Sequence, residues 1–559
     1  MLDELTAAGA ILSIALERYY ATCLAIQKTY PRNEKSYTID PQFLPRLDAQ
    51  INLATSLQST LARAKAAISW SRNCSHTHVT VNDLPSEVLA YVFHMVVSGQ
   101  PCAKRDYHGV DKTMDLMYPA VLSRVCSRWR SIAFSTPTLW THIDLSTSTL
   151  LNKQHLDGLT KLHLSHVGPL SLDLHLFDAS GYEMSQLSHG GGFDSSITGS
   201  ITRLASRTSS FSMDELRDFS PDNYGKVLSA LFQDSTPGTL TNLTNLQYLN
   251  RTFGGPGFLN AKEDPVVYGS SIIDLPREQL ENILEHVSVL RLAGLYPRWT
   301  SRAYHGLVEL RLVGGGTVNE SDLVGILRSS PGLRILQLSH QINRLLPIDA
   351  EVAPIVLRDL EVLIVWQISC PLLPSLLRWL APGPKPLQFE FRARNRVYAP
   401  TSEDLRLKED SLVSFFLRSH LNRVHGRYMG IVSAIELLEL SPGIQELAIS
   451  RIKLRAFPPL EGAAVGSTLR CRLRYLQISH TLVHIEAVLA FISCPTVTIE
   501  VVVFHDCELF YHGAQIPADQ VALQVEELDA NYPNLRFIVR SCEEPYLVCV
   551  GSWGPDTSM

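Results

Sequence analysis

Five times between residues 307 and 478 the chain repeats one short pattern, an aliphatic residue followed by two more at the third and fifth positions after it. The sets are Leu307, Leu310 and Leu312; Leu333, Leu336 and Leu338; Leu360, Leu363 and Val365; Ile444, Leu447 and Ile449; and Leu473, Leu476 and Ile478. First positions at 307, 333, 360, 444 and 473 give steps of 26, 27, 84 and 29 residues, and 84 is three times 28. Alternate aliphatic residues mark a strand with one buried face. Helix-like runs such as Glu320 to Arg328 separate the strands. Ser330-Pro331-Gly332 and Ser441-Pro442-Gly443 then stop the helix before the next strand. Phe389 and Phe391, and the segment 421–424, fill the long step; Leu535 and Ile538 extend the series. Leu159, Leu162 and Leu164, followed by LSLDLHL at 170–176, open it earlier.

This strand-then-helix period resembles the longer leucine-rich repeats. The resemblance implies a curved solenoid, so the expected fold class is α plus α/β solenoid: N-terminal helices and a three-helix segment, then a leucine-rich-repeat horseshoe. The expected organisation is a helical hairpin or coiled coil at 1–75, a helical domain at 79–145 and first repeat-like turns at 146–286. A horseshoe follows at 287–545, with a tail at 546–559. Within 146–286, the Ser-, Gly- and Thr-rich stretch 178–222 reads as a flexible insertion. Residues 43–72 carry Leu47, Ile51, Ala54, Leu57, Leu61, Ala64 and Ile68 at helical spacing. In a repeat strand the residues between the buried leucines face the other side, and a mixed polar and aromatic face there suits a protein substrate. The candidates are Glu309, Arg311, Gln337, Trp366, Glu446, Tyr475 and Gln477.

The segment that points to function lies upstream. VNDLPSEVLAYVF at 81–93 puts Pro85 in the first turn of a helix, where its missing N–H costs nothing. Leu89, Val92, Phe93 and Val96 then fall at i, i+3, i+4 and i+7. VLSRVCSRWRSIAFSTPTLW at 121–140 brings Leu122, Val125, Cys126 and Trp129 onto a second helical face, with Ser135-Thr136-Pro137 as its stop. The Leu-Pro opening with the Cys-x-x-Trp-Arg segment resembles an F-box, in the F-box-like form common in fungal proteins. The resemblance covers about 60 residues. A polar insertion at 98–118 departs from it and puts docking in doubt. An F-box implies a non-catalytic adaptor that binds the small Skp subunit and, through it, a cullin ubiquitin ligase. By the same resemblance Leu84, Pro85, Val88, Leu89, Val92 and Phe93 meet Skp, with Leu122, Val125 and Trp129 sharing that interface and the domain core. The other reading is a repeat scaffold for protein partners with no ubiquitin link.

A formal charge of −6 over 559 residues, with 45% hydrophobic and 19% charged residues, offers no basic excess for nucleic acid or a membrane surface. Asp3 and Glu4 stand where a secretory leader needs basic residues, and the apolar stretch Leu5 to Leu16 is shorter than a bilayer span. Ten scattered cysteines without a CxxC pair suit reduced thiols in the cytoplasm or nucleus. No cofactor and no metal is expected. Cys74, His76 and His78 lack a second ligand pair. His505 and Cys507 lack an orienting third group. Arg392, Arg394 and Arg396 alternate on one strand face and read as exposed surface. Ile273 to Glu278 imitates a second F-box opening, but Val287, Leu290 and Leu292 continue it as a strand.

Overall fold

The computed structural model describes residues 1–29, 42–73, 81–99, 119–146, 153–177, 196–213, 221–247, 257–265, 270–314, 316–347, 353–368, 372–393, 410–427, 431–450, 453–454, 471–493, 497–517 and 519–540. They fall into two compact units, Met1–Pro85 and Ser86–Met559. In the first unit, helices α1 (Leu2–Thr29) and α2 (Phe43–Asn73) are joined by Tyr19, whose hydroxyl donates to the carbonyl and side-chain oxygens of Gln50 at 3.3 Å. The apolar positions of these helices stay largely open, Ile11, Ile14, Ile51 and Ile68 among them. The apolar run of α1 extends beyond residues 5–16. Over Leu2–Lys28 it is long and apolar enough to cross a membrane by length and composition alone.

The second unit opens with three helices, α3 (Ser86–Gly99), α4 (Pro119–Val125) and α5 (Ser127–Phe134). Cys126 caps α5, its sulfur accepting from the Trp129 N–H. After α5 the chain turns through Pro137–Trp140 into a parallel sheet of fourteen strands. In order these are His142–Ser146, Leu172–Phe177, Thr208–Met213, Asn242–Gln247, Val289–Ala293, Glu309–Val313, Ile335–Leu338, Val362–Ile368, Leu387–Ala393, Leu421–Arg427, Glu446–Ser450, Cys471–Ser479, Val497–His505 and Arg536–Arg540. Each strand pairs with the one before it in sequence, and helices such as Glu320–Ser329 and Ile485–Ile492 return the chain between strands.

One residue from every strand lines up in a single row across the sheet. It runs Ile143, Leu174, Phe211, Leu243, Leu290, Leu310, Leu336, Leu363, Phe389, Val424, Leu447, Leu476, Val502 and Phe537. None of the fourteen is more than 3% exposed. The helices pack on this face, so the row is the spine of the core. At about 2 kcal/mol per buried large aliphatic side chain, its contribution is tens of kcal/mol before chain entropy opposes it.

Two expectations are corrected here. The molecule is an α/β protein built on one large open parallel sheet, and that finding replaces the leucine-rich-repeat horseshoe. The Leu-x-x-Leu-x-Leu spacing specifies a strand with a buried face and a returning helix. Any parallel sheet covered by helices satisfies it, so the period does not determine the curvature of the assembly. The sheet runs from His142, so the segment expected to hold the first repeat-like turns at 146–286 and the one from 287 share it. Nor is 178–222 wholly a linker: its described residues include the helix Ser196–Ala205 and the third strand. Ile197, Ile201 and Leu204 share one face of that helix and are buried despite the Ser- and Thr-rich surroundings.

A buried histidine makes the sheet unit sensitive to acid. His340 lies edge-on to Tyr296 and Trp299 at 4.8 and 5.7 Å, and its Nδ1–H donates to the Leu312 carbonyl at 3.3 Å. Burial, only partly offset by that bond, pulls its pKa down to about 4. The unfolded chain takes up this proton near pH 6.5 and the folded chain only near 4, so stability is lost as pH falls through that window. The loss approaches roughly 3 kcal/mol at pH 4. Urea unfolding at pH 7.5, 6 and 4.5 checks this: the His340→Gln variant is expected to lose less on acidification, and an unchanged slope contradicts it.

Candidate functional site

The site begins with α3, because apolar residues occupy two sides of this helix. On one side Leu89 and Phe93 are fully buried, and the Trp129 ring of α5 lies 4.8 Å from that of Phe93. On the other side Val88, Tyr91 and Met95 are 42, 67 and 58% exposed. Successive residues turn by about 100°, so Val88 and Met95 lie roughly 140° and 160° around the axis from Phe93. Val92 is half-buried and Val96 exposed at the margin of the outer stripe. The stripe Leu89, Val92, Phe93 and Val96 is one arc of the helix, and Val88, Tyr91 and Met95 form a second, outer one.

The helical segment is braced independently of that outer face. The Trp140 indole N–H donates to the Ala133 carbonyl at 2.7 Å, and Arg130 Nε donates to the Ser123 carbonyl at 2.9 Å. His94 Nε2 and Thr138 Oγ1 are 2.9 Å apart, tying α3 to the turn after α5. Phe134 stacks on His166 at 4.2 Å. The outer residues of α3 thus project from a scaffold whose polar groups are engaged elsewhere. Val88, Tyr91 and Met95 form a run of large, exposed apolar side chains on one side of α3.

The nine residues assigned to adaptor contact separate accordingly. Val88 and Val125 are exposed, while Val92, Leu122 and Trp129 are half-buried. Leu89 and Phe93 belong to the core and offer no surface, which corrects their placement at an interface. Leu84 and Pro85 belong to the first unit and are exposed there. Tyr91 and Met95 were missed, although their spacing from Val88, i+3 and i+7, was visible in the sequence. The 98–118 insertion lies outside the described residues except for its first two positions, which end α3.

The seven substrate-face candidates occupy the sheet side opposite the leucine row, by strand alternation. Most are already engaged with neighbouring strands. Arg291 donates twice to Glu309, at 2.7 and 3.0 Å, Arg311 donates to Glu309, and Arg311 reaches Gln337 at 3.2 Å. Burial alone would raise the Glu309 pKa, but the two guanidiniums outweigh it and hold the carboxyl below its usual value. The Trp366 indole donates to Glu390 at 2.9 Å, beneath the Arg427 guanidinium 5.8 Å from its ring. Arg423 pairs with Glu446 at 2.6 Å. Glu309, Gln337, Glu446 and Gln477 are consequently buried, leaving Arg311, Trp366 and Tyr475 half-open.

Two other places bring together groups capable of chemistry. A cleft of about 330 Å³ is lined by Asp264, Arg277, Glu281, Arg298 and Arg302 among others. Arg277 and Arg298 turn to Asp264, and Arg302 to Glu278 and Glu285, so its charges are paired internally. Burial pushes the Cys507 thiol up to about 11, and its S–H donates to the Ile478 carbonyl at 3.2 Å. A thiol held protonated at neutral pH is a poor nucleophile. Cys74, His76, His78, Arg394 and Arg396 lie outside the described residues.

No family model matches the chain, and no curated protein matches it either.

Proposed function

We propose that this chain is the substrate-recognition adaptor of a Skp–cullin–F-box ubiquitin ligase, docking Skp through its helical segment and holding a protein substrate on the polar face of the sheet. The observation that carries the proposal is the second apolar side of α3, with Val88, Tyr91 and Met95 in solvent. It lies within the segment whose Leu-Pro and Cys-x-x-Trp-Arg spacing resembles an F-box. A helix laid into an apolar groove draws most of its binding energy from a few large anchors, and this stripe supplies them. The adaptor performs no chemistry; it sets the distance between substrate and ligase. Arg311, Trp366 and Tyr475 are the substrate contacts this reading favours, because they remain half-open on the sheet. Capture of the full-length chain on immobilised Skp tests the proposal. The wild-type chain is expected to be retained and to bring cullin with it when cullin is added. The Leu84→Ala/Pro85→Ala variant is expected to be retained at least tenfold less. Absence of capture of the folded chain would leave a protein-interaction scaffold without a ligase role.

A further inference from the structure

At the start of the sheet, two neighbouring strands place two histidines and two aspartates on the face away from the leucine row. Parallel pairing sets His142 against Asp173 and Asp144 against His175, so all four share one side. Asp144 Oδ1 lies 3.2 Å from His142 Nε2 and 2.6 Å from His175 Nδ1. One ligand atom each from His142, Asp144 and His175 falls within 4.8 Å of the others, and Asp144 and His175 are buried. The second nitrogen of His142, Nδ1, lies 2.7 Å from Asp173 Oδ2.

We propose that His142, Asp144 and His175 form a binding site for a divalent transition-metal ion, Zn²⁺ being the species their chemistry suits best. Two imidazoles and one carboxylate are ligands Zn²⁺ accepts, with water free to complete a tetrahedron. Tetrahedral Zn–N and Zn–O bonds of about 2.0–2.1 Å set ligand atoms roughly 3.3 Å apart. The His142–Asp144 separation is already close to this, and the His175–Asp144 pair needs to open by roughly 0.7 Å. Asp173 supplies the second observation. A ring that gives its Nδ1 proton to Asp173 turns the Nε2 lone pair toward Asp144 Oδ1, the geometry in which a cation takes both atoms as ligands. A carboxylate behind a histidine is the usual outer partner of a metal-bound imidazole, fixing its tautomer and orientation. The competing arrangement has a second proton on the His142 ring in place of the ion.

The ion would clasp the first strand to the second immediately after the Pro137–Trp140 turn, where the helical segment passes into the sheet. This inference is independent of Skp docking and survives its failure. The test titrates the full-length chain, stripped with chelator, with Zn²⁺ alone by calorimetry and with Co²⁺ by absorption. One Zn²⁺ per chain is expected, with a Kd tighter than about 1 μM. The Co²⁺ spectrum should lack a thiolate charge-transfer band, which separates this site from the cysteines. His175→Gln should weaken binding at least 100-fold and Asp173→Asn by about 10–100-fold. His142→Gln, at the most open of the three ligands, guards against loss of the fold and is expected to abolish the stoichiometric site. Failure of the wild-type chain to bind one equivalent, or unchanged binding by a folded His142→Gln variant, overturns the assignment.

Discussion

Glu320→Ala is expected to destabilise the sheet unit by about 3–5 kcal/mol. Glu320 is fully buried at the first position of the helix Glu320–Ser329. One carboxylate oxygen accepts from Arg378 Nε and Nη2 at 3.0 and 2.6 Å and from the Trp379 indole at 2.6 Å; the other accepts from the Leu346 N–H at 2.5 Å. The helix N-terminus adds favourable field to the same charge. Removing the carboxylate leaves an arginine, an indole and a backbone donor short of their acceptor in an enclosed place, and the cost of that exceeds the worth of the pair itself. Urea unfolding reads the change directly. The double variant Glu320→Leu/Arg378→Met is expected to recover a substantial part of the loss, because no uncompensated charge remains. A single-variant loss below about 1 kcal/mol would mean that water reaches the carboxylate and that the cluster is peripheral.

Phe93→Ala is expected to cost about 3–5 kcal/mol, by lost apolar burial and the cavity it leaves against Trp129. The measurement is the thermal unfolding of the helical segment followed by tryptophan fluorescence, since Trp129 lies against the deleted ring. Val88→Ala and Met95→Ala, on the opposite side of the same helix, are expected to shift stability by no more than about 0.5 kcal/mol. Equal costs on both sides would contradict the division of α3 into a core side and an open side.

Much of the fold was legible from local pattern. The leucine sets at 307, 333, 360, 444 and 473 mark strands, and the Ser-Pro-Gly stops mark helix ends, because both depend on residues a few positions apart. The assembly was not legible, because a buried strand face reads alike in a horseshoe and in a large helix-covered sheet. The second strand showed in LSLDLHL at 170–176, but HIDLS and TSSFSM did not join the series, because His, Asp and Ser on the face away from the core dilute their hydrophobicity. Glu320 could not be foreseen, since Arg378 and Trp379 stand 58 and 59 residues away in the chain. His142 and His175 come together only through strand register, so no ligand spacing announces them. On α3 Val88 was legible as a contact residue, but Tyr91 and Met95, at i+3 and i+7 from it, were hidden behind the stronger apolar signal of Leu89 and Phe93.

The adaptor reading rests on the open side of α3, and the affinity of full-length chain for Skp measures it most directly. The account predicts saturable binding by the wild-type chain and a loss of at least 100-fold, about 2.7 kcal/mol, in Val88→Asp/Met95→Asp, with unfolding unchanged. Equal affinity of the wild-type and doubly substituted chains, or no binding by either while both remain folded, would contradict it.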